Sequence, residues 1–149
     1  MREILFRGKS TEHEGWVTGF YVYLVSDKKE SHRIYTGYAE RDVDDLYPDW
    51  YEVDPATVGQ YTGLKDENGQ KIFDGDILQY QPREIDYWRD HNKWYCVVMF
   101  GDFNCSCCDG VYGWYLKGGD IRDFCSDDLS GPYLVVGNIY DTPEFMEGA

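Results

Sequence analysis

Residues 57–80, TVGQYTGLKDENGQKIFDGDILQY, set an Asn-Gly pair between two short runs in which side-chain character alternates. Period-two alternation is the pattern of a strand with one face buried. Asn68-Gly69 is the dipeptide best able to take the left-handed conformations that a tight hairpin requires. In the first run Val58, Gln60 and Thr62 alternate with Gly59, Tyr61 and Gly63, and in the second Ile72, Asp74, Asp76 and Leu78 alternate with Phe73, Gly75 and Ile77. The Asp-Gly-Asp at 74–76 interrupts the second run. Gly75 lacks a Cβ and the flanking Asp side chains can bond local amides, so a bulge or sharp bend is predicted there. The stretch therefore predicts a bent hairpin with its register set at Asn68-Gly69. A one-residue slip would send Val58, Tyr61, Ile72 and Ile77 to the wrong faces. Asp66 reads as an exposed turn residue that tolerates substitution.

The remaining segments suit a chain of many strands. EILFRG and WVTGFYVYLV predict two strands joined by a turn at His13 to Gly15, SDKKESHR a charged connector, and RIYTGYA a further strand. ERDVDDLYPDWYEVDPA carries Pro48 and Pro55 among acids and predicts a loop with one helical turn. WYCVVMF, GWYLK and PYLVVGNIY predict later strands, GDFNCSCCDGVYG a loop, and DTPEFMEGA a short terminal helix entered through Pro143. Fourteen Tyr, five Trp and seven Phe supply apolar surface as rings, which fit pleated sheets, and 16 Gly serve the turns. At 149 residues the chain is predicted to form a single domain, or two small lobes divided at the acidic segment.

Charge limits the partners. The chain has 28 acidic against 14 basic residues, a formal net charge of −14. Such a field repels phosphate backbones and anionic membranes, so nucleic acid is disfavoured unless a local basic patch overrides it. No apolar run approaches a membrane span, which with the short N-terminal run predicts a cytoplasmic protein and no membrane partner. Five cysteines, an odd number, suggest reduced thiols rather than a disulfide framework. Cys105, Cys107, Cys108 and Cys125 offer four sulfurs to a zinc ion, but Cys125 has no neighbouring ligand, whereas structural zinc sites pair their knuckles. Loop thiols and no metal are expected, with Cys96 a small core residue.

Calcium fares no better. Asp66, Asn68, Asp74 and Asp76 lie close together, yet an EF-hand loop begun at Asp66 meets Gln70 and Lys71 where a short oxygen ligand and a glycine belong. His13, His32 and His91 all stand in polar stretches, and neither a nucleophile elbow nor a glycine-rich phosphate loop occurs. No catalytic residue and no cofactor are therefore expected, and the chain reads as a non-enzyme. YWRDHNKWY interleaves rings with Arg89, His91 and Lys93, the composition of a stacking surface for single-stranded nucleic acid. Its charges nearly cancel, because Glu84, Asp86 and Asp90 stand beside Arg83, Arg89 and Lys93. Rings anchoring a long connection are the simpler reading of Trp88–Trp94.

MREILFRG, GWVTGFYV, VDPATVGQYTGLKDENGQKIFDGDIL and VVGNIYDTPEF, in that order, resemble the YopX family of bacteriophage and prophage proteins. The resemblance covers both ends and the middle, and no signature matches from about Gln81 to Gly131. It implies a mainly β fold of coiled antiparallel sheets with an SH3-like barrel and few short helices, and a single domain, 1–149, in which an N-terminal β lobe, 1–45, packs on a barrel lobe, 50–149. It carries over no catalytic or binding residue. The expectation is a phage or prophage accessory protein in the cytoplasm of a bacterial host that binds a protein partner or self-associates, and the alternative is a nucleic-acid-associated protein using Trp88–Trp94.

Overall fold

The computed structural model describes residues 3–42, 45–80, 95–105, 108–118 and 133–144. Ten strands follow one another among the described residues: β1 (Phe6–Lys9), β2 (Trp16–Ser26), β3 (Lys29–Asp42), β4 (Asp45–Glu52), β5 (Gly59–Lys65), β6 (Lys71–Phe73), β7 (Asp76–Tyr80), β8 (Tyr95–Cys105), β9 (Cys108–Gly118) and β10 (Tyr133–Asn138). A 3-10 turn, Pro55–Thr57, precedes β5. It starts with Pro55 in the first turn and the Asp54 carboxylate accepting from the Ala56 amide at 3.0 Å. Most of the predicted terminal helix lies outside the described residues. The fold is mainly β. The strands form a six-stranded sheet in the order β4-β3-β2-β1-β5-β6 and a four-stranded sheet in the order β10-β7-β8-β9. Strand pairing among the described residues is antiparallel, and neither sheet closes on itself among them. No helix among them is long and apolar enough to cross a membrane.

The chain divides into two compact units, Met1–Tyr61 and Thr62–Ala149. In the first, β2 and β3 make a long hairpin whose turn is only Asp27 and Lys28, at φ 47° and 67°. The predicted charged connector is thus mostly strand. Successive left-handed residues match the twist of the flanking strands, and the pairing of β2 with β3 holds them there. The predicted acidic loop is likewise mostly strand: Asp45–Glu52 pairs with β3, and Pro48 stands opposite Tyr38. The physical reason is position. β4 is an edge strand, where a proline lacking its N–H leaves no ladder bond unmade. The apolar centre of this unit is small, with Ile34 and Val53 buried and Gly8 beside them; a Cβ added to Gly8 would lie 3.1 Å from Val53 Cβ.

In the second unit the bend at Asp74-Gly75 is real and larger than a bulge. Gly75 has φ 86°, and the strand splits there so that β6 joins one sheet and β7 the other. The Gly75 amide donates to the Val98 carbonyl at 2.8 Å, and its own carbonyl accepts from the Ile139 amide at 3.0 Å. Asp76 Oδ2 accepts from the Phe73 amide at 2.8 Å and closes the corner. Behind the corner, Ile72, Leu78, Cys96, Val98, Leu116 and Tyr133 form one buried cluster, against which Trp114 and Val135 pack.

The predicted cysteine loop is also overturned. β8 runs on to Cys105 and β9 starts at Cys108, opposite it. Each added cross-strand pair satisfies two strands at once, and Phe103, Val111 and Tyr112 suit pleated structure better than a glycine-and-Asp reading of the segment allows.

Two expectations about the β5–β6 turn need correction. Asn68 keeps a negative φ and Gly69 alone is left-handed, at 82°. The Gly69 amide donates to the Asp66 carbonyl at 3.0 Å and the Asp66 amide to the Gln70 carbonyl at 2.8 Å. The turn thus centres on Glu67-Asn68 with a left-handed glycine after it, the longer hairpin solution. Asp66 is buried, at 9% exposure, and is not an idle turn residue. Its Oδ1 accepts from the amides of Asn68 and Gln70, both at 2.9 Å, and its Oδ2 from the amide of Val135 at 3.0 Å. With the Glu67 amide on the Tyr133 carbonyl at 3.2 Å, the turn occupies backbone groups along β10.

Candidate functional site

The first unit carries a sheet face of unusual composition. In β2 the positions Trp16, Thr18, Phe20, Val22 and Leu24 fall on one side, and Val17, Gly19, Tyr21, Tyr23 and Val25 on the other. Register extends the first set to the neighbours: Arg7 opposite Thr18 and Lys9 opposite Trp16 in β1, Tyr35 opposite Phe20, Arg33 opposite Val22 and Lys29 opposite Ser26 in β3, with Trp50 opposite Tyr35 and Glu52 opposite Arg33 in β4. Near β1 the second set, with buried Ile34 and Gly19, faces the small core, whereas towards the β2–β3 turn it too is exposed, Tyr23 at 48% and Val25 at 63%. The first set faces outward, with Phe20 65% exposed, Trp50 39% and Leu24 38%.

Cations lie over the rings of this outward face. The Arg33 guanidinium stands 3.8 Å from the Trp50 ring centre, Arg7 4.7 Å from that of Trp16, and Lys9 5.7 Å from the same ring. Ser31, also on this face, accepts from Arg33 Nε at 2.9 Å and fixes the guanidinium plane. Among the described side chains, the face bears Arg7, Lys9, Lys29 and Arg33 together with two carboxylates, Glu52 opposite Arg33 and Asp54 opposite Lys9. A chain of net charge −14 thus gathers positive charge on one patch of rings. Large rigid rings beside guanidinium groups form the side-chain set that anchors protein interfaces.

The opposite face is built differently. The His32 ring stacks between Tyr23, at 4.8 Å, and Tyr21, at 6.0 Å, and its Nδ1 shares a hydrogen bond with the Tyr21 hydroxyl. Burial raises the Tyr21 phenol above its ordinary value, while Tyr23 is raised first by its hydrogen bond with Glu30 and then by burial. Both stay neutral near pH 7. His13 meets the Tyr51 ring edge-on at 6.2 Å, beside an open cleft of about 400 Å³ that Ser10, Trp16 and Thr36 also line. Ser10 Oγ accepts from the amides of Glu12 and His13, at 3.2 and 3.1 Å, and so serves the β1–β2 turn.

The residues that the sequence singles out for other chemistry scatter, or lie elsewhere. Asp66 and Asp76 each spend carboxylate oxygens on backbone amides in separate turns. Among the described residues no group of three His, Cys, Asp or Glu side chains is placed to hold a metal ion. Cys107 and Cys125, two of the four sulfurs considered for zinc, lie outside the described residues, as do His91 and the Trp88–Trp94 segment. Cys96 lies in the buried cluster, where burial pushes its thiol up to about 12. Sequence reasoning misses the outward face itself. Its signal is present in WVTGFYVYLV, which is apolar at both odd and even positions, one face more than a half-buried strand needs.

Comparison with known proteins agrees with this architecture. The family model described as YopX protein matches residues 5–147. No curated protein matches the chain. Among solved structures, the crystal structure of protein EF1440 from Enterococcus faecalis is similar, with a TM-score of 0.55 and 24% identity over 98% of this chain and 99% of that one. At that identity the likeness speaks for the fold alone.

Proposed function

The chain belongs to the YopX family, and from that premise we propose that it is a non-enzymatic accessory protein of a phage or prophage that acts in the bacterial cytoplasm by binding a protein partner. The observation that carries this reading is the outward face of β1–β4, where Trp16, Phe20, Tyr35 and Trp50 stand with Arg7 and Arg33. A ring exposed as Phe20 is adds little to folding and is ready-made contact area for a partner. The bent strand β6–β7 supports a further part of the proposal, that the second unit is a variant of an SH3-like barrel. Self-association through the same face is one form of the reading. The nucleic-acid alternative now has a second place to act, since the cations and rings of this face also suit stacked bases.

Immobilised protein tests the proposal against extracts of bacterial host cells. Wild type is expected to retain a specific protein that Phe20→Ser with Trp50→Ser loses, while Leu64→Ser, a change at an exposed position in the other unit, keeps it. Sedimentation at rising concentration tests self-association in parallel. A partner kept by the double variant would remove the face from the account. Salt-sensitive binding of labelled single-stranded DNA, lost on Trp88→Ala with Trp94→Ala, would favour the alternative.

A further inference from the structure

We propose that two copies of the chain pair edge to edge through β2, antiparallel about a two-fold axis at Tyr23, so that their first sheets become one. The inference goes beyond the face described above, because it uses the edge of the strand and stands whatever the face binds.

The free edge follows from register. β1 accompanies β2 only from Lys9, opposite Trp16, to Phe6, opposite Gly19. Before Phe6 the chain is held by β5 instead, where the Leu5 carbonyl accepts from the Tyr61 amide at 2.8 Å. β3, in contrast, follows β2 to the turn, with Ser26 opposite Lys29. Residues 20–26 therefore have β3 on one side and, among the described residues, no strand on the other. The two residues that flank a two-residue turn exchange both of their hydrogen bonds, and such pairs alternate along a hairpin. Ser26, Leu24, Val22 and Phe20 thus bond to β3, while Tyr21, Tyr23 and Val25 turn their N–H and C=O groups to the open side. An open row of backbone groups is a template for another strand, and folded proteins block it with lysine, proline or a bulge. FYVYLVS, at 20–26, holds neither residue and keeps its register with β3 unbroken.

Symmetry, length and charge select a second copy as the occupant. An axis at Tyr23 sets that residue opposite its own copy, Tyr21 opposite Val25, Val22 opposite Leu24 and Phe20 opposite Ser26. This register uses the whole free edge and stops where β1 begins at one end and the turn at the other. It matches the outward groups of Tyr21, Tyr23 and Val25 with one another, for about six backbone hydrogen bonds. A slip of one residue would set them against groups already spent on β3. The central cross-strand pairs are apolar on both sides, with two tyrosines meeting at the axis. β2, WVTGFYVYLVS, carries no charged side chain in a chain of net charge −14, so two copies meet here without setting acid against acid. An unrelated strand has no reason to match this length and parity, whereas a second copy matches both by construction. The product is one sheet in which Phe20, Val22 and Leu24 of both copies share a surface.

Sedimentation velocity of the full chain at rising concentration is expected to show dimers. In nitrogen-15-labelled protein the amides of Tyr21, Tyr23 and Val25 should exchange rapidly when dilute and become protected as dimers form, while those of Val22 and Leu24 are protected at every concentration. Tyr23→Lys sets like charges opposite each other at the axis and should weaken the dimer about tenfold, as should Tyr23→Glu, and an equimolar mixture of the two should restore it. Each variant alone should keep the wild-type far-ultraviolet spectrum; where neither folds, the exchange pattern of the wild type decides. A chain that stays monomeric, a dimer that both charged variants retain, or a dimer without protection at Tyr21, Tyr23 and Val25 overturns the inference. A dimer lost on Phe20→Ser with Trp50→Ser but kept by Tyr23→Lys places self-association on the face, which overturns this inference and leaves the protein-binding reading standing. An extract partner indifferent to Phe20 and Trp50, with the dimer still lost on Tyr23→Lys, removes that reading and supports the edge pairing.

Discussion

Phe20 in β2 and Leu78 in β7 each stand in the middle of an antiparallel strand paired on both sides, yet Phe20 is 65% exposed and Leu78 is fully buried. The two units put apolar side chains to different uses. In Thr62–Ala149 they close a cluster of Ile72, Leu78, Cys96, Val98, Leu116 and Tyr133, and charged groups serve as backbone clamps, as Asp66 and Asp76 do. In Met1–Tyr61 only Ile34 and Val53, with Tyr61 at its end, are buried apolar side chains among the described residues, and the large rings are spread over a surface with cations stacked on them. Burial fixes a fold, while exposed rings raise the affinity of a surface for something else. The contrast teaches that aromatic richness by itself does not tell a core from an interface, and that facing direction does.

The comparison can be broken most forcefully in the second unit. Leu78→Ala removes a fully buried side chain from the cluster and is expected to cost about 2–5 kcal/mol in a urea melt. Asp66→Ser comes next. It strips a buried carboxylate from three backbone amides on two segments, and the expected loss is about 2–4 kcal/mol, since orphaned buried donors and charge-assisted bonds are both at stake. A loss under about 0.5 kcal/mol would show that the turn does not tie β10. Gly75→Val should cost about 1–3 kcal/mol, because φ is 86° there and the new Cβ would lie 3.2 Å from a Tyr140 ring carbon.

A pH experiment sharpens the same contrast. The Cys96 thiol is raised by burial from 9.0 to about 12, so the folded protein favours its protonated form more than the unfolded chain does. That contribution is fully present below pH 9 and is lost as pH rises through about 12, opposite in sense to a salt-bridged carboxylate. In native protein at pH 8, peptide mapping should find Cys96 unalkylated by iodoacetamide, with labelling appearing once urea unfolds the chain. Rapid labelling without denaturant would mean the cluster around it opens readily.

How much of the molecule is legible in the sequence varies with the kind of signal. The bend at Gly75 is readable because glycine between two aspartates breaks alternation in a way few structures explain. The β3–β4 pairing is hidden by Pro48, a breaker in most strands but harmless at a sheet edge, which only the sheet order reveals. Asp66 looks idle because its third donor, the Val135 amide, lies far along the chain. The outward face is half legible: β2 displays apolar residues on both sides, but the cations that give the face its chemistry come from β1 and β3 and require the register.

The central claim is that the rings of the first unit serve binding and the clamps of the second serve folding. The urea unfolding midpoint of Phe20→Ser, measured beside that of Asp66→Ser, tests it most directly. The account predicts that Phe20→Ser stays within about 0.5 kcal/mol of wild type while Asp66→Ser falls by about 2–4 kcal/mol. A midpoint for Phe20→Ser as low as that of Asp66→Ser would show the phenyl ring holding the fold together, and would contradict the claim.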